Sequence, residues 1–362
     1  MDPSADPAAG TSTGFGSVPL GEQLPAWTAR QLTSLLAQRG HAWLLAGPSG
    51  LGQYGLALEM VRAWLCNTPT GQGACGQCGS CHAIDVRTHA DLCVLMPETA
   101  MQALDWPLGE KAQNDIDDKK RKPSKEIRIE AMRDAVEFSQ RTSARGRGKA
   151  MLIFPAERMN NITANALLKT LEEPPGDLKF VLASEAAHQL LPTIRSRCLT
   201  HSMVWPGVDE SLRWLELQGI AAAQVQTLLR AAGGRPDDAL VFAQSGRDPK
   251  SWAALPRAMQ RGDVSLVKDW TPAQTIDALH KLCHDLLAVK TGALPRFFDG
   301  ADLPTTATGR PLAGLTRWAR ALAQATRTME HPFNPGLMQE ALVDQAHQAL
   351  NCDINSATNP SR

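Results

Sequence analysis

The apolar run Ala42-Trp43-Leu44-Leu45-Ala46 leads straight into Gly47-Pro48-Ser49-Gly50-Leu51-Gly52, and from Leu56 to Leu65 apolar residues recur with helical spacing. Strand, glycine-rich turn and helix in this order form a unit of an α/β fold, and the glycine spacing is that of a phosphate-binding loop. At the two positions where ATP hydrolysis needs lysine and a serine or threonine, however, the chain carries Gln53 and Tyr54. Lysine neutralises the β and γ phosphates and a small hydroxyl ligates magnesium; glutamine has no charge and tyrosine is too large for that ligand position. The glycine pattern alone is also met by an ordinary strand-to-helix turn.

A second apolar run, Ala150-Met151-Leu152-Ile153-Phe154, reads as another buried strand. A nucleotide hydrolase ends such a strand in acidic residues that hold magnesium-bound water, but here Phe154 and Pro155 stand in their place. Two independent motifs thus depart from ATP chemistry in the same direction.

The 362 residues suggest two or three domains of roughly 150 residues. With 37 basic and 37 acidic residues, the chain lacks the excess of a strongly basic nucleic-acid binder. No apolar run approaches the ~18 residues of a membrane span. The start Met1-Asp2-Pro3 has no basic region followed by an apolar core, so cytoplasmic residence is expected. Residues 1–18, rich in Pro, Ala, Gly, Ser and Thr, read as a disordered extension.

Of the eight cysteines, Cys66, Cys75, Cys78 and Cys81 are clustered, while Cys93, Cys198, Cys283 and Cys352 are scattered. Short loops at the spacing C-x8-C-x2-C-x2-C turn four thiolates onto one tetrahedral ion, with Gly71, Gly73, Gly76 and Gly79 allowing tight turns. Zinc is the choice, in a structural site with no vacant position. An iron–sulfur cluster also takes four thiolates; a disulfide framework is disfavoured in a reducing cytoplasm. His82 is expected to face solvent, and His280, Cys283 and His284 to pack on a helix without a second pair of ligands. Between Met101 and Glu130, Asp115 to Asp118 adjoin Lys119-Lys120-Arg121-Lys122-Pro123, a mixture expected in a solvated loop, with a role in grasping DNA as the alternative. A second basic cluster, Arg141, Arg145, Arg147 and Lys149, either meets DNA phosphate or stays hydrated.

The segment Asn161-Ile162-Thr163-Ala164-Asn165-Ala166-Leu167-Leu168-Lys169-Thr170-Leu171-Glu172-Glu173-Pro174-Pro175 has helical spacing and ends in helix-stopping prolines; Phe180-Val181-Leu182-Ala183 then reads as a strand, and Ser196-Arg197-Cys198 leads into the extended run Leu199 to Val204. These motifs resemble the clamp-loader subunits of bacterial DNA polymerase III, of the AAA+ class of ATPases. The degenerate phosphate loop and the four-cysteine insert are similar to the delta-prime branch of that family rather than to the ATP-hydrolysing gamma and tau branch. The resemblance covers residues 20–350.

It implies an AAA+ α/β nucleotide-type domain over 19–205 with a zinc module at 66–81, a small helical lid over 206–246, an all-helical collar over 247–352, and a loose tail over 353–362. His331-Pro332-Phe333-Asn334-Pro335, followed by Leu337, Leu342 and Val343, would open the last collar helix. By position Arg197, in Ser196-Arg197-Cys198 and preferred over Arg195, is the arginine presented across a subunit boundary to ATP held by a neighbour; an ordinary surface salt bridge is the alternative. Cys198 is expected to pack as a small apolar group. Ser184 lies at the γ-phosphate-sensing position, and Asp237 replaces the second sensor, an arginine, with Arg235 nearby as a weak substitute.

Implied partners are gamma/tau and delta subunits in a hetero-pentameric ring, with the sliding clamp and primed DNA reached through the complex and no membrane. The implied role is a stator that binds no ATP and is not an enzyme on its own, but a subunit of a DNA-directed DNA polymerase holoenzyme. Two other classes stay open: an active ATPase with an unusual site, and a zinc-dependent nucleic-acid-binding module.

Overall fold

The computed structural model describes residues 24–245, 247–304, 312–328 and 334–351. The expected extension 1–18, the tail 353–362, Cys352 and His331-Pro332-Phe333 lie outside them. Five strands, β1 (Ala42–Ala46), β2 (Leu92–Leu95), β3 (Lys149–Ile153), β4 (Leu178–Ser184) and β5 (Leu199–Ser202), form one sheet in the order β2-β3-β4-β1-β5. All neighbours are parallel, with Trp43 opposite both Val181 and Leu199, and Met151 opposite Phe180.

Side-chain alternation decides the layering. Trp43, Leu45, Leu152, Phe154, Val181 and Ala183 face one core, whereas Ala42, Leu44, Met151, Ile153, Phe180 and Leu182 face the other. Strands that are apolar on both faces need helices on both. Helices α1 (Ala26–Leu36) and α2 (Gln53–Leu65) cover the first face through Leu32, Leu35, Leu56, Met60 and Val61. After α3 (Gly79–Asp85), α4 (Glu98–Ala103) and α5 (Glu110–Asp117), helices α6 (Ile129–Gln140) and α7 (Asn161–Glu172) cover the second through Met132, Ala135, Leu167 and Leu171. The Asn160 side chain caps α7 by accepting the Thr163 N–H at 3.0 Å.

Strand β2 has no counterpart among the sequence-level expectations. It is a four-residue edge strand with three half-buried positions, too short for a period to declare itself; pairing with β3 supplies what propensity does not. The segment expected as a solvated loop between Met101 and Glu130 holds the second half of α4 and all of α5, and its basic run is partly engaged in ion pairs. Glu98 receives Arg121 at 2.5 and 2.8 Å, the Ser124 N–H at 2.8 Å and Arg128 at 3.3 Å, which holds its carboxyl below the usual range against the opposing effect of burial. Helix α5 itself buries no residue.

Lys149 is likewise not part of a hydrated basic patch. It is buried, and its ammonium donates to the carbonyls of Phe138, Ser139 and Arg141, while burial lowers its pKa. A few residues before Lys149, Ser143 Oγ (3.1 Å), Ala144 N (2.7 Å) and Arg145 N (2.9 Å) donate to Asp91, which is 1% exposed. Two buried charges therefore hold the first part, 141–145, of the arginine-bearing loop 141–148.

By its contacts the chain divides into two units, one up to Glu210 together with Arg235–Val241, the other comprising Ser211–Gly234 and the residues from Phe242. Helices α8 (Pro192–Arg195) and α9 (Val208–Leu217) precede α10 (Ala222–Ala231), which lies in the second unit, and α11 (Pro236–Gln244), which belongs to the sheet unit up to Val241. The second unit contains α12 (Pro249–Arg261), α13 (Pro272–Lys290), α14 (Leu312–Thr328) and α15 (Pro335–Asn351). A reciprocal Thr271–Gln274 capping box starts α13. Its buried Asp285 accepts the N–H groups of Arg296 (2.9 Å), Phe297 (2.7 Å) and Phe298 (2.8 Å), placing Phe298 flat on Trp252 with ring centres 4.6 Å apart. Among the described residues no helix is long and apolar enough to cross a membrane.

Candidate functional site

The loop between β1 and α2 folds as its glycines require. Gly50 and Gly52 sit at φ 76° and 85°, in the left-handed region that suits glycine. Its interior is filled by the chain's own groups. Gln53, 2% exposed, turns its amide back onto the loop and donates to the carbonyls of Gly47 (2.9 Å) and Pro48 (2.6 Å). Tyr54 points into the core, where its hydroxyl accepts from Trp106 Nε1 at 2.7 Å and its ring meets Phe154 with centres 5.3 Å apart. Arg87 lies over the Trp106 ring at 4.3 Å, and burial raises the Tyr54 pKa. The side chains at the magnesium-ligand and acidic-motif positions thus pack on each other.

The outer side of the loop meets the start of α11. Asp238 accepts from Ser49 Oγ at 2.9 Å and pairs with Arg235 at 2.9 Å, while Arg235 also donates to Ser49 Oγ at 3.2 Å. The Asp237 N–H donates to Gly50 O at 3.3 Å. A Cβ on Gly50 would stand 2.6 Å from the Asp238 carboxylate, so only glycine admits this approach. Arg235, the weak substitute for a sensor arginine, is engaged with Asp238 and Ser49.

Carboxylates gather around this end of the sheet. Ser184, fully buried, donates to Glu157 at 2.7 Å, and Glu157 also accepts the Glu185 N–H at 3.2 Å. Burial, then Glu157 and Asp238, push Glu185 up to about 7; burial, then Asp238, push Asp237 up to about 7. Carboxyls gathered this closely offer no positive charge to a bound triphosphate, and each one that ionises repels it. Glu157 and Asp238 escaped sequence reasoning: Glu157 follows the strand in an irregular turn, and Asp238 carries the ordinary signature of an acid in a helix's first turn.

Ser196 and Arg197 follow α8. Ser196 and Arg195 are exposed, whereas Arg197 is half-buried and pairs with Glu172, with Nε 2.5 Å from Oε1 and Nη2 on the same oxygen. Nη1 donates to the Thr193 carbonyl at 2.8 Å. Cys198 packs against the second sheet core, and burial pushes its thiol up to about 12.

The four clustered cysteines converge. Cys66 ends α2, Cys78 precedes α3, Cys81 lies in its first turn, and Gly73 and Gly76 at positive φ bend the chain between them. Sulfur separations are 3.5 Å for Cys66–Cys75 and Cys78–Cys81, 3.8 Å for Cys66–Cys78 and Cys66–Cys81, and 4.0 Å for Cys75–Cys81. Four thiolates on a tetrahedral ion with metal–sulfur bonds of about 2.3 Å stand about 3.8 Å apart, so the set fits a single ion of zinc's size. A disulfide, at about 2.05 Å, does not describe these separations. The Thr68 hydroxyl, followed by backbone N–H groups of Gln77 and Cys78, lowers Cys75 to about 5. His82 is exposed, and Cys283 is buried against the Leu315 carbonyl while His284 meets Asp285; among the described residues only the four-cysteine group is arranged for a metal.

Residues 28–204 match the family model described as DNA polymerase III, delta subunit. The DNA polymerase III subunit delta' of Yersinia pestis is 32% identical over 70% of this chain and 72% of its own length. The corresponding subunit of Pseudomonas aeruginosa is 40% identical over 55% of each chain, and that of Escherichia coli K12 31% identical over 59% of this chain and 58% of its own. The chain thus spans little more than half the length of these last two relatives. Taken with the parallel sheet, the altered phosphate loop and the four-cysteine module, these matches show that the chain belongs to the DNA polymerase III subunit delta' family.

Proposed function

We propose that this chain is a stator of a DNA polymerase III clamp loader: it binds and hydrolyses no ATP, and it presents Arg197 to ATP held by a neighbouring gamma or tau subunit. The observation that carries the first half is the phosphate loop, filled from within by Gln53 and met from outside by Asp238. A guanidinium supplied across a boundary offsets charge developing on the transferred phosphoryl group, an effect of about a thousandfold or more on that site. In this reading the sheet unit is the AAA+ domain (19–205), followed by a lid (206–246) and a collar (247–352) that joins gamma/tau and delta in a five-membered ring. The assembly is cytoplasmic and places the sliding clamp on primed DNA. The four cysteines hold a structural zinc that staples the glycine-rich excursion between α2 and α3; the ion supplies no chemistry to the reaction.

Two measurements test this. Titration of the isolated chain with a fluorescent ATP analogue is expected to give no saturable binding; micromolar binding would return the chain to the active-ATPase class. In the reconstituted loader, Arg197→Ala is expected to lower clamp- and DNA-stimulated ATPase partially, because other sites keep their own arginines. A fully assembled ring with an unchanged rate would remove Arg197 from any ATP site.

A further inference from the structure

Glu172 is the last residue of α7, where the helix carbonyls already concentrate negative charge and a carboxylate is disfavoured. It is also 44% exposed, and exposed ion pairs add little to stability. Neither helix formation nor folding accounts for a carboxylate here, but its contacts do. Oε1 receives both Nε and Nη2 of Arg197 along one edge of the guanidinium, and the Thr193 carbonyl receives Nη1 at 2.8 Å. Ser196 Oγ stands at 3.5 Å from Nη1, the limit of a hydrogen bond. A guanidinium has five N–H donors in a rigid fork. Three are committed to α7 and α8, one on Nη1 is in weak reach of Ser196 Oγ at 3.5 Å, and one stays available on Nη2.

We infer that Glu172 is the positioning residue for Arg197: together with the Thr193 carbonyl it fixes the guanidinium in one orientation before a neighbour arrives, keeping part of the fork for a phosphate oxygen. This rests on the reading of Arg197 as an arginine that serves a neighbour's ATP. Arginine carries large rotamer freedom, and a finger that must be ordered during each turnover loses rate in proportion to the time it spends elsewhere. In this role Glu172 acts through Arg197 alone.

The test compares loaders reconstituted with wild-type chain, Glu172→Gln, Arg197→Ala and the double variant, measuring clamp- and DNA-stimulated kcat and KM for ATP, with ring assembly and melting temperature as controls. Glutamine keeps size and removes charge. Misplacing a catalytic group costs up to about a hundredfold, so the site served by Arg197 is expected to slow by about tenfold to a hundredfold in Glu172→Gln. Loader kcat then falls toward the Arg197→Ala value while KM and melting temperature stay put, and the double variant is no slower than Arg197→Ala. If Arg197→Ala slows the loader but Glu172→Gln does not, positioning fails and the reading of Arg197 stands. If Arg197→Ala leaves the rate intact, that reading fails. A faster Glu172→Gln loader would make the carboxylate a restraint, and additive losses in the double variant would give Glu172 a role apart from Arg197; either overturns the inference.

Discussion

Replacing Asp237 with Asn stabilises the sheet unit, and does so more as pH rises. The side chain is 6% exposed, lies beside Asp238 near the phosphate loop, and has its carboxyl pushed from 3.8 up to about 7 by burial and then by Asp238. In the unfolded chain the group loses its proton near 3.8; in the fold it keeps it to about 7. An acid with a raised folded pKa contributes no penalty below 3.8, a growing one between 3.8 and about 7, and a constant one above. That interval corresponds to about 4 kcal/mol at pH 8 and, with only its lower part traversed, about 2 kcal/mol at pH 5. Asparagine has nothing to ionise and escapes both. Urea denaturation of wild type and Asp237→Asn at pH 5, 6.5 and 8 is therefore expected to show a stability gap that widens by about 2–3 kcal/mol across the range. Glu185, also raised to about 7, is present in both proteins and cancels from the difference. A gap independent of pH, or a variant less stable at pH 8, would refute the claim that a buried, charge-repelled carboxyl lies against the loop.

Asp91→Ala is expected to cost about 3–5 kcal/mol in the same assay, since three donors of the loop 141–148 lose a buried charged acceptor. Removing the proposed zinc with a chelator is expected to lower the melting temperature and expose four additional thiols to a colorimetric reagent; an unchanged thiol count would leave the cysteines without an ion.

What the sequence makes legible divides by range. Strands β1, β3 and β4 declare themselves as apolar runs, and the helix from Asn161 to Glu172 by spacing and its terminal prolines, because these signals are local. The convergence of Cys66, Cys75, Cys78 and Cys81 is also local, its short spacings leaving few ways to close the loop. Strand β2 is hidden because its identity lies in pairing with β3, fifty-odd residues onward. The contact between Gly50 and Asp238 joins residues far apart in the chain, and no period or motif connects them. Lys149 reads as one more basic residue in a basic stretch until its ammonium is seen buried among carbonyls. In the candidate site, residue types announced which groups of an ATP site are replaced; only geometry told what their replacements touch.

In the proposed stator, the packing of Tyr54 against Phe154 makes ATP chemistry hard to install one step at a time. A threonine at 54 would empty space beside Phe154 and leave the Trp106 N–H without its acceptor; an aspartate at 154 would set a carboxylate against an aromatic ring in a dry core. Each single reversion is destabilising before it can be useful, and neither removes Asp238 from Ser49 or returns a lysine at Gln53. In that reading a phosphate loop tied into the core behaves as a ratchet: a path to catalysis passes through several simultaneous changes, and each single change costs stability.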